Sequence, residues 1–222
     1  MPALRAVSLL VLLPVFAGCQ SLPWSQAPSA PPTERLQGEV TRSEGALLLH
    51  TCEGARAVEL LDVGGTGVPD DALALLGGSA LPLFADLRGQ LHSPSRGRQQ
   101  LRVSQVYRLE PARNGCGAGD FDTLVVHASG HAPDWRVQIN PEGLLLERPS
   151  HEPLAVPYLE EQLPAGQSSF SSEANGQRID LWVAPQRCVD RATGAVSHLT
   201  AELRLDEQTL RGCAYAGGAR DQ

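Results

Sequence analysis

Five cysteines and six histidines carry most of the reactive chemistry in this chain of 222 residues. Cys19 follows a short apolar run, while Cys52, Cys116, Cys188 and Cys213 are spread through the remainder. His50 and Cys52 fall on one face of a strand, a pairing of imidazole and thiolate that suits copper or zinc. His127 and His131 stand four apart and would share a helical face, but the pattern around them is strand then turn. His151 opens the segment HEPLA. There Ala155 stands where a zinc-hydrolase motif needs its second histidine, and Pro153 breaks the helix that would present the ligands. No Gly-x-Ser-x-Gly elbow occurs, and Ser168-Ser169 reads as part of a hairpin strand. Asp120 and Asp122 read as a solvated loop. Asp190 reads as the cap of the turn Arg191-Ala192-Thr193-Gly194, its carboxylate accepting backbone N–H groups. Together these residues predict no catalytic centre, no metal site and no cofactor.

The surroundings of Cys19 have a different meaning. Arg5 is the only charge before Glu34, and Ala6 to Phe16 forms an apolar run interrupted only by Ser8 and Pro14. Roughly 20 apolar residues are needed to span a bilayer as a helix, so this run is too short to remain as one. A positive start, a short apolar stretch and small residues at the exit, here Ala17 and Gly18, are the parts of a secretory signal. The arrangement resembles the bacterial lipobox, with Phe16 in place of the usual leucine. The resemblance implies that Cys19 is acylated and that the chain is cut directly before it. Several acyl chains on one residue hold stably, because each buried CH₂ contributes about 0.8 kcal/mol. Gln20 occupies the position where aspartate retains such proteins at the inner membrane, so the resemblance implies the outer membrane, facing the periplasm. Residues 20 to 34 hold four prolines and neither a helical nor a strand period, the composition of an extended tether.

Export changes how the other cysteines are read. An even number remaining in an oxidising compartment predicts two disulfides, with three connectivities open. The spacing divides them into an early and a late pair, which favours Cys52–Cys116 and Cys188–Cys213. No Cys-x-x-Cys spacing supports a thiolate metal site instead. The chain contains no lysine, which excludes Schiff-base chemistry and a phosphate-binding P-loop lysine. A net charge of −7 without a basic cluster argues against nucleic acid as a partner.

The elements that must position these residues read mostly as strands and turns. Leu36 to Thr41 and Ala46 to Thr51 flank the turn-like Arg42-Ser43-Glu44-Gly45. Leu81 to Leu91 and Leu101 to Leu109 follow. Between them Asp70 to Leu76 predicts a short helix, with acids at its positive end and Gly77-Gly78 as its stop. Gly64, Gly65 and Gly67 lack the third glycine of a dinucleotide fingerprint and read as a loop. Further strands are predicted at Asp122 to Ser129, Trp135 to Asn140 and Leu144 to Glu147. Ser169 to Glu173 and Arg178 to Ala184 flank Asn175-Gly176, a hairpin signal because both positions accept positive φ. Val196 to Leu205 and Leu210 to Tyr215 close the pattern. The fold class is all-β and mainly antiparallel, with two small barrel- or sandwich-like modules. The expected boundaries are a signal peptide at 1–18, a lipidated tether at 19–35, a β-domain with a short helix at 36–112, a second β-domain at 113–217 and a tail at 218–222.

The segment RCVDRATGAVSHLTAELRLDEQTLRGCA, residues 187 to 214, resembles the C-terminal signature of uncharacterised Gram-negative envelope lipoproteins. Cys188, Asp190, Thr193, Gly194, Gly212 and Cys213 match that signature. Residues 128 to 139 resemble the same family's Gly-Asn-Glu-Pro-Phe-Trp segment through Gly130, Pro133 and Trp135, while His131, Ala132 and Asp134 depart from it. The opening LQGEVTRSEGALLLHTCEG is more distantly similar to lipoproteins of the NlpE kind. The resemblance implies a small barrel-like envelope domain and no established activity. The functional expectation is a non-enzymatic, lipid-anchored accessory or sensing protein whose partner is a periplasmic protein or a small ligand. The alternatives are a copper, zinc or small-ligand carrier with a barrel cavity, and an inhibitor of an envelope-degrading enzyme.

Overall fold

The computed structural model describes residues 32–220 except 55, 79–80, 95–96, 112–114, 118–119 and 175. Cys19, the expected signal segment, nearly all of the expected tether and Asn175 lie outside the described residues. The first strands follow from alternation. In β1 (Glu34–Ser43), Leu36, Gly38 and Val40 face inward while their neighbours face out. Glu44 and Gly45, both at positive φ, turn it into β2 (Ala46–Thr51). Next comes β3 (Ala57–Asp62), which the sequence pattern does not announce.

The Asp62 carboxylate accepts from Thr66 N and Gly67 N at 2.9 Å each and so organises the glycine-rich loop. Burial acts to raise that carboxyl, but the hydrogen bonds from Thr66 and Gly67 outweigh it and hold it below its usual value. The loop leads into α1 (Val68–Gly78), which turns Val68, Ala72 and Leu75 towards the core and places Asp70 and Asp71 in its first turn. Two long strands, β4 (Leu83–His92) and β5 (Gln100–Pro111), finish the module.

β5 pairs in parallel with β3 and antiparallel with β4, and β4 pairs with β1, so the order β5-β3-β2-β1-β4 closes on itself. The result is a five-stranded Greek-key barrel, the architecture that the OB-fold also uses. Closure brings backbones very near one another. A Cβ on Gly89 would lie 2.3 Å from the Arg102 carbonyl oxygen, beside a register shift in the β4–β5 ladder. Leu49, Val58, Leu87, Leu101, Val103 and Leu109 fill the interior.

The second sheet has nine strands. They are β6 (Val126–His131), β7 (Asp134–Asn140), β8 (Gly143–Glu147), β9 (Leu154–Val156), β10 (Leu159–Leu163), β11 (Gln167–Ala174), β12 (Gln177–Ala184), β15 (Leu199–Leu205) and β16 (Gln208–Ala216). It curls into a half-barrel in the order β10-β11-β12-β15-β16-β6-β7-β8-β9. Its two edge strands, β9 and β10, are consecutive in the chain and separated only by Pro157 and Tyr158. Tyr158 packs edge-on against Phe170, 5.7 Å between ring centroids, next to a core of Phe170, Ile139, Ile179, Leu181 and Leu203. Two very short strands, β13 (Cys188–Val189) and β14 (Val196–Ser197), leave this half of the chain and extend the first sheet, with Val196 opposite Leu109.

The expected strand from Asp122 is a turn as far as Thr123, and the ladder begins at Val126. Thr123 and Leu124 donate to the Asp120 carbonyl, so the chain is spent on a local turn before it can pair. The two sheets meet through polar groups. Arg35 donates Nε and Nη2 to the two Asp86 oxygens at 2.8 and 2.7 Å, and Nη1 and Nη2 to the Gly217 and Ala216 carbonyls at 2.9 and 2.7 Å. Its guanidinium lies 3.6 Å from the Tyr107 ring centroid.

Candidate functional site

The β6–β7 hairpin turns through a cis Ala132–Pro133 bond, which places His131 opposite Asp134 with Nδ1 and Oδ1 2.9 Å apart. Next in the register, Trp135 faces Gly130, and a Cβ there would lie 2.5 Å from Trp135 Nε1. Glycine is therefore what lets the indole lie against the strand. Gly212 of β16 is equally constrained, because a Cβ would come 1.9 Å from the Ser129 carbonyl oxygen.

The loop after β13 approaches from the other side. Asp190 Oδ1 accepts from Ala192 N and Thr193 N at 2.8 Å each and from Thr193 Oγ1 at 3.0 Å, and Gly194 sits at φ +76°. Asp190 Oδ2 lies 3.5 Å from His131 Nε2. Cys188 is bonded to Cys213, with 5.5 Å between their Cα atoms, and this fastens β13 to β16. The residues singled out from sequence, Gly130, Pro133, Trp135, Cys188, Asp190, Thr193, Gly194, Gly212 and Cys213, thus converge on one hairpin tip and the loop that braces it.

Beside this tip lies an open cleft of about 680 Å³, bounded by Glu110, His127, His131, Trp135, Arg148 and Tyr215. His127 stacks on Tyr215 with 4.8 Å between ring centroids and 16° between planes. Burial, and then the charges of Arg136 and Arg108, lower the His127 imidazole to about 3, so it is neutral at ordinary pH. Burial pushes the Tyr215 phenol up to about 12, with the Arg108 charge acting against it and the Glu110 charge adding to it. Arg108 Nη1 donates to Tyr215 Oη at 2.8 Å and to Glu110 at 3.1 Å, and its guanidinium lies 4.4 Å from the centroids of both Phe84 and Tyr215. Two buried donors here, Arg108 Nε and Trp135 Nε1, have no hydrogen-bond partner among the described residues.

The remaining candidates are placed elsewhere. Cys52 is bonded to Cys116 as its spacing predicts, with 5.3 Å between Cα atoms, so Cys52 offers no free thiolate beside His50. His50 Nε2 lies 2.9 Å from Thr41 Oγ1 on the outer side of the barrel. His151 lines the cleft and its Nδ1 lies 2.8 Å from the Pro149 carbonyl oxygen. Asp120 is exposed and accepts from Gln138 Nε2 at 3.3 Å. Among the described residues no three His, Cys, Asp or Glu side chains converge to hold a metal ion. Sequence spacing missed Arg108, Glu110, Arg148 and Tyr215. Arg108 and Tyr215 stand 107 positions apart, so no local pattern could have joined them. Comparison with known proteins gave no matching family model, no matching curated protein and no matching solved structure.

Proposed function

We propose that this chain is a non-enzymatic envelope protein, anchored through Cys19 at the outer membrane, that holds a periplasmic partner in the cleft beside the 131–134 hairpin tip. The observation that carries this reading is how the cleft's reactive side chains are occupied. His127 is neutral and stacked, His131 lies between Asp134 and Asp190, and the four described cysteines are paired. An imidazole lowered to about 3 is a weak base and disulfide sulfurs are not thiolate nucleophiles, while the His131 contacts fix the hairpin tip as a rigid surface. Both sheets fill their interiors with side chains, which favours contact at the surface over carriage inside a barrel. The cleft volume of about 680 Å³ also suits a second reading, a small ligand held by a few polar groups. A tether would keep the module at high effective concentration near the membrane.

Two measurements test this. Cys19→Ala should abolish palmitate labelling, and unchanged labelling would refute the anchor. A photo-crosslinking residue at Arg148 should trap a discrete adduct in cells, and one at exposed Val63 on the barrel should not. Equal crosslinking at both positions would refute the cleft as the contact surface.

A further inference from the structure

A second region, away from the cleft, has the makings of a binding site. Trp182 projects from the outer face of β12, on the side opposite the half-barrel core, and 41% of it is exposed. Two open grooves meet at this one indole. The larger, about 720 Å³, runs over β10, β11 and β12, and the smaller, about 310 Å³, runs towards Thr200 and Arg211.

Strand register sets polar side chains on both sides of the ring. Trp182 stands opposite Ser169 on one neighbour and Glu202 on the other, and Asp180 stands opposite Ser171 and Arg204. Each groove offers a carboxylate, a guanidinium and a hydroxyl, Asp180, Arg178 and Ser169 in the larger and Glu202, Arg211 and Thr200 in the smaller. The ring is also held in place. The Arg204 guanidinium lies 5.3 Å from the indole centroid, and Glu202 fixes it by accepting from Nε and Nη2 at 3.0 and 2.8 Å. Glu202 accepts from Arg211 Nε as well, at 3.4 Å. The Arg204 and Arg211 hydrogen bonds hold the Glu202 carboxyl below its usual value against a smaller opposing effect of burial.

Those features select a ligand class. Each guanidinium group is matched by a carboxylate on the same face, as Arg204 is by Glu202 and Arg178 by Asp180 at 3.3 Å, and the four carboxylates and three guanidinium groups of the two grooves leave a net charge of only −1, too weak a field to select a polyanion or a polycation. An exposed indole gives a flat apolar platform with polar groups at its rim, which is the complement of a sugar ring with C–H groups on its face and hydroxyls at its edge. Grooves leading away from both sides of the platform suit an extended chain better than a single small molecule. We infer that the outer face of β10, β11, β12 and β15 binds an uncharged oligosaccharide, with one sugar stacked on Trp182 and neighbouring hydroxyls bonded to Asp180, Glu202 and Arg204.

The test is titration of the full chain with N-acetylchitotetraose, cellotetraose and maltotetraose, read by tryptophan fluorescence and calorimetry, with heparin as the charged comparison. At least one neutral tetrasaccharide should bind. Trp182→Ala should weaken it by about tenfold or more, whereas Trp182→Phe, which keeps a platform, should lose less. Because Trp182 lies outside the core, neither variant should lower the melting temperature appreciably. The inference is overturned if none of the three neutral sugars binds, if Trp182→Ala binds as well as the parent, or if only heparin binds. No cleft residue is altered in these variants, so any of these results leaves the cleft reading to its own crosslinking test.

Discussion

The sheet interiors and the junction between the sheets solve different problems with different residues. Inside, the work is done by Leu, Val, Ile and Phe in alternation, as in β7, where Trp135, Val137 and Ile139 face in and Arg136 and Gln138 face away. Such packing is non-directional, and neighbouring apolar side chains of similar volume can replace one another at modest cost. At the junction, Arg35 is clamped by Asp86 and two carbonyls while lying over Tyr107, and Arg108 bridges Glu110 and Tyr215 while lying between Phe84 and Tyr215. These contacts are directional, so they fix how one sheet meets the other as well as that they meet. The chain uses apolar burial to form each sheet and guanidinium geometry to orient the pair.

The largest test of that difference is at Asp86, which is fully buried. Asp86→Ala removes the carboxylate that the buried Arg35 guanidinium grips at 2.8 and 2.7 Å and should cost about 3–5 kcal/mol in urea unfolding. That matches or exceeds Leu181→Ala in the half-barrel core, expected at about 2–5 kcal/mol. Replacing the pair together, as Arg35→Met with Asp86→Leu, should cost less than Asp86→Ala alone, because both charges of the pair then leave the interior together. If the double variant is the worse of the two, the junction owes its stability to something other than this pair.

Next in size is the Cys188–Cys213 bond, which closes 25 positions of sequence at the border of the two regions. Cys188→Ala with Cys213→Ala should cost about 3 kcal/mol by the chain-entropy model. A loss below about 1 kcal/mol would mean that the strand pairings alone hold β13 against β16.

The junction should also give stability a pH dependence that apolar interiors cannot. His127 has a folded value near 3 against 6.5 in the unfolded chain, so below about 6.5 the unfolded state takes up a proton that the folded state does not. Its contribution is present above 6.5 and falls with pH at up to about 1.4 kcal/mol per unit until about 3. Tyr215, raised to about 12 from 10, acts oppositely, and its contribution is lost as pH rises from 10 to 12. His127→Phe keeps an aromatic ring on Tyr215 and removes the first titration. The acid limb of a melting-temperature profile should therefore become shallower in that variant, and an unchanged limb would place its origin in the carboxylates.

The smallest expected effect is at Asp190, whose carboxylate caps the 191–194 turn. Asp190→Ala should cost about 1 kcal/mol, similar to other lost caps. Asp190→Asn should recover most of it, because an amide oxygen can still accept from Ala192 and Thr193.

Much of this architecture was legible in the sequence. Alternation and turn residues marked β1, β2, β4, β5, β7, β8, β11, β12, β15 and β16, and the latter part of the stretch expected from Asp122 to Ser129 is β6. Acids before an apolar stretch and a Gly-Gly stop marked α1, which runs from Val68 to Gly78. An even number of cysteines after Cys19, falling into an early and a late pair, indicated the bonds Cys52–Cys116 and Cys188–Cys213. The signature residues were found as a set, yet their spacing could not say that Trp135 would lie on Gly130 or that Asp190 would reach His131. β3, β9, β10 and β13, with weak or short patterns, became strands only where a neighbour was waiting, and the single strand expected over Val196 to Leu205 divides into β14 and β15, which pair in different sheets. β3 pairs with β5 some forty positions later, and β14 pairs with β5 from nearly ninety positions away. The cleft and the junction, with Arg108 beside Tyr215 and Arg35 beneath Gly217, belong to this second kind. Periodicity records which face of a strand avoids water, because that depends on the residue and its immediate neighbours. Which distant backbone closes a ladder, and which guanidinium meets which ring, depends on the three-dimensional closure of the barrel, and only the tertiary structure decided it.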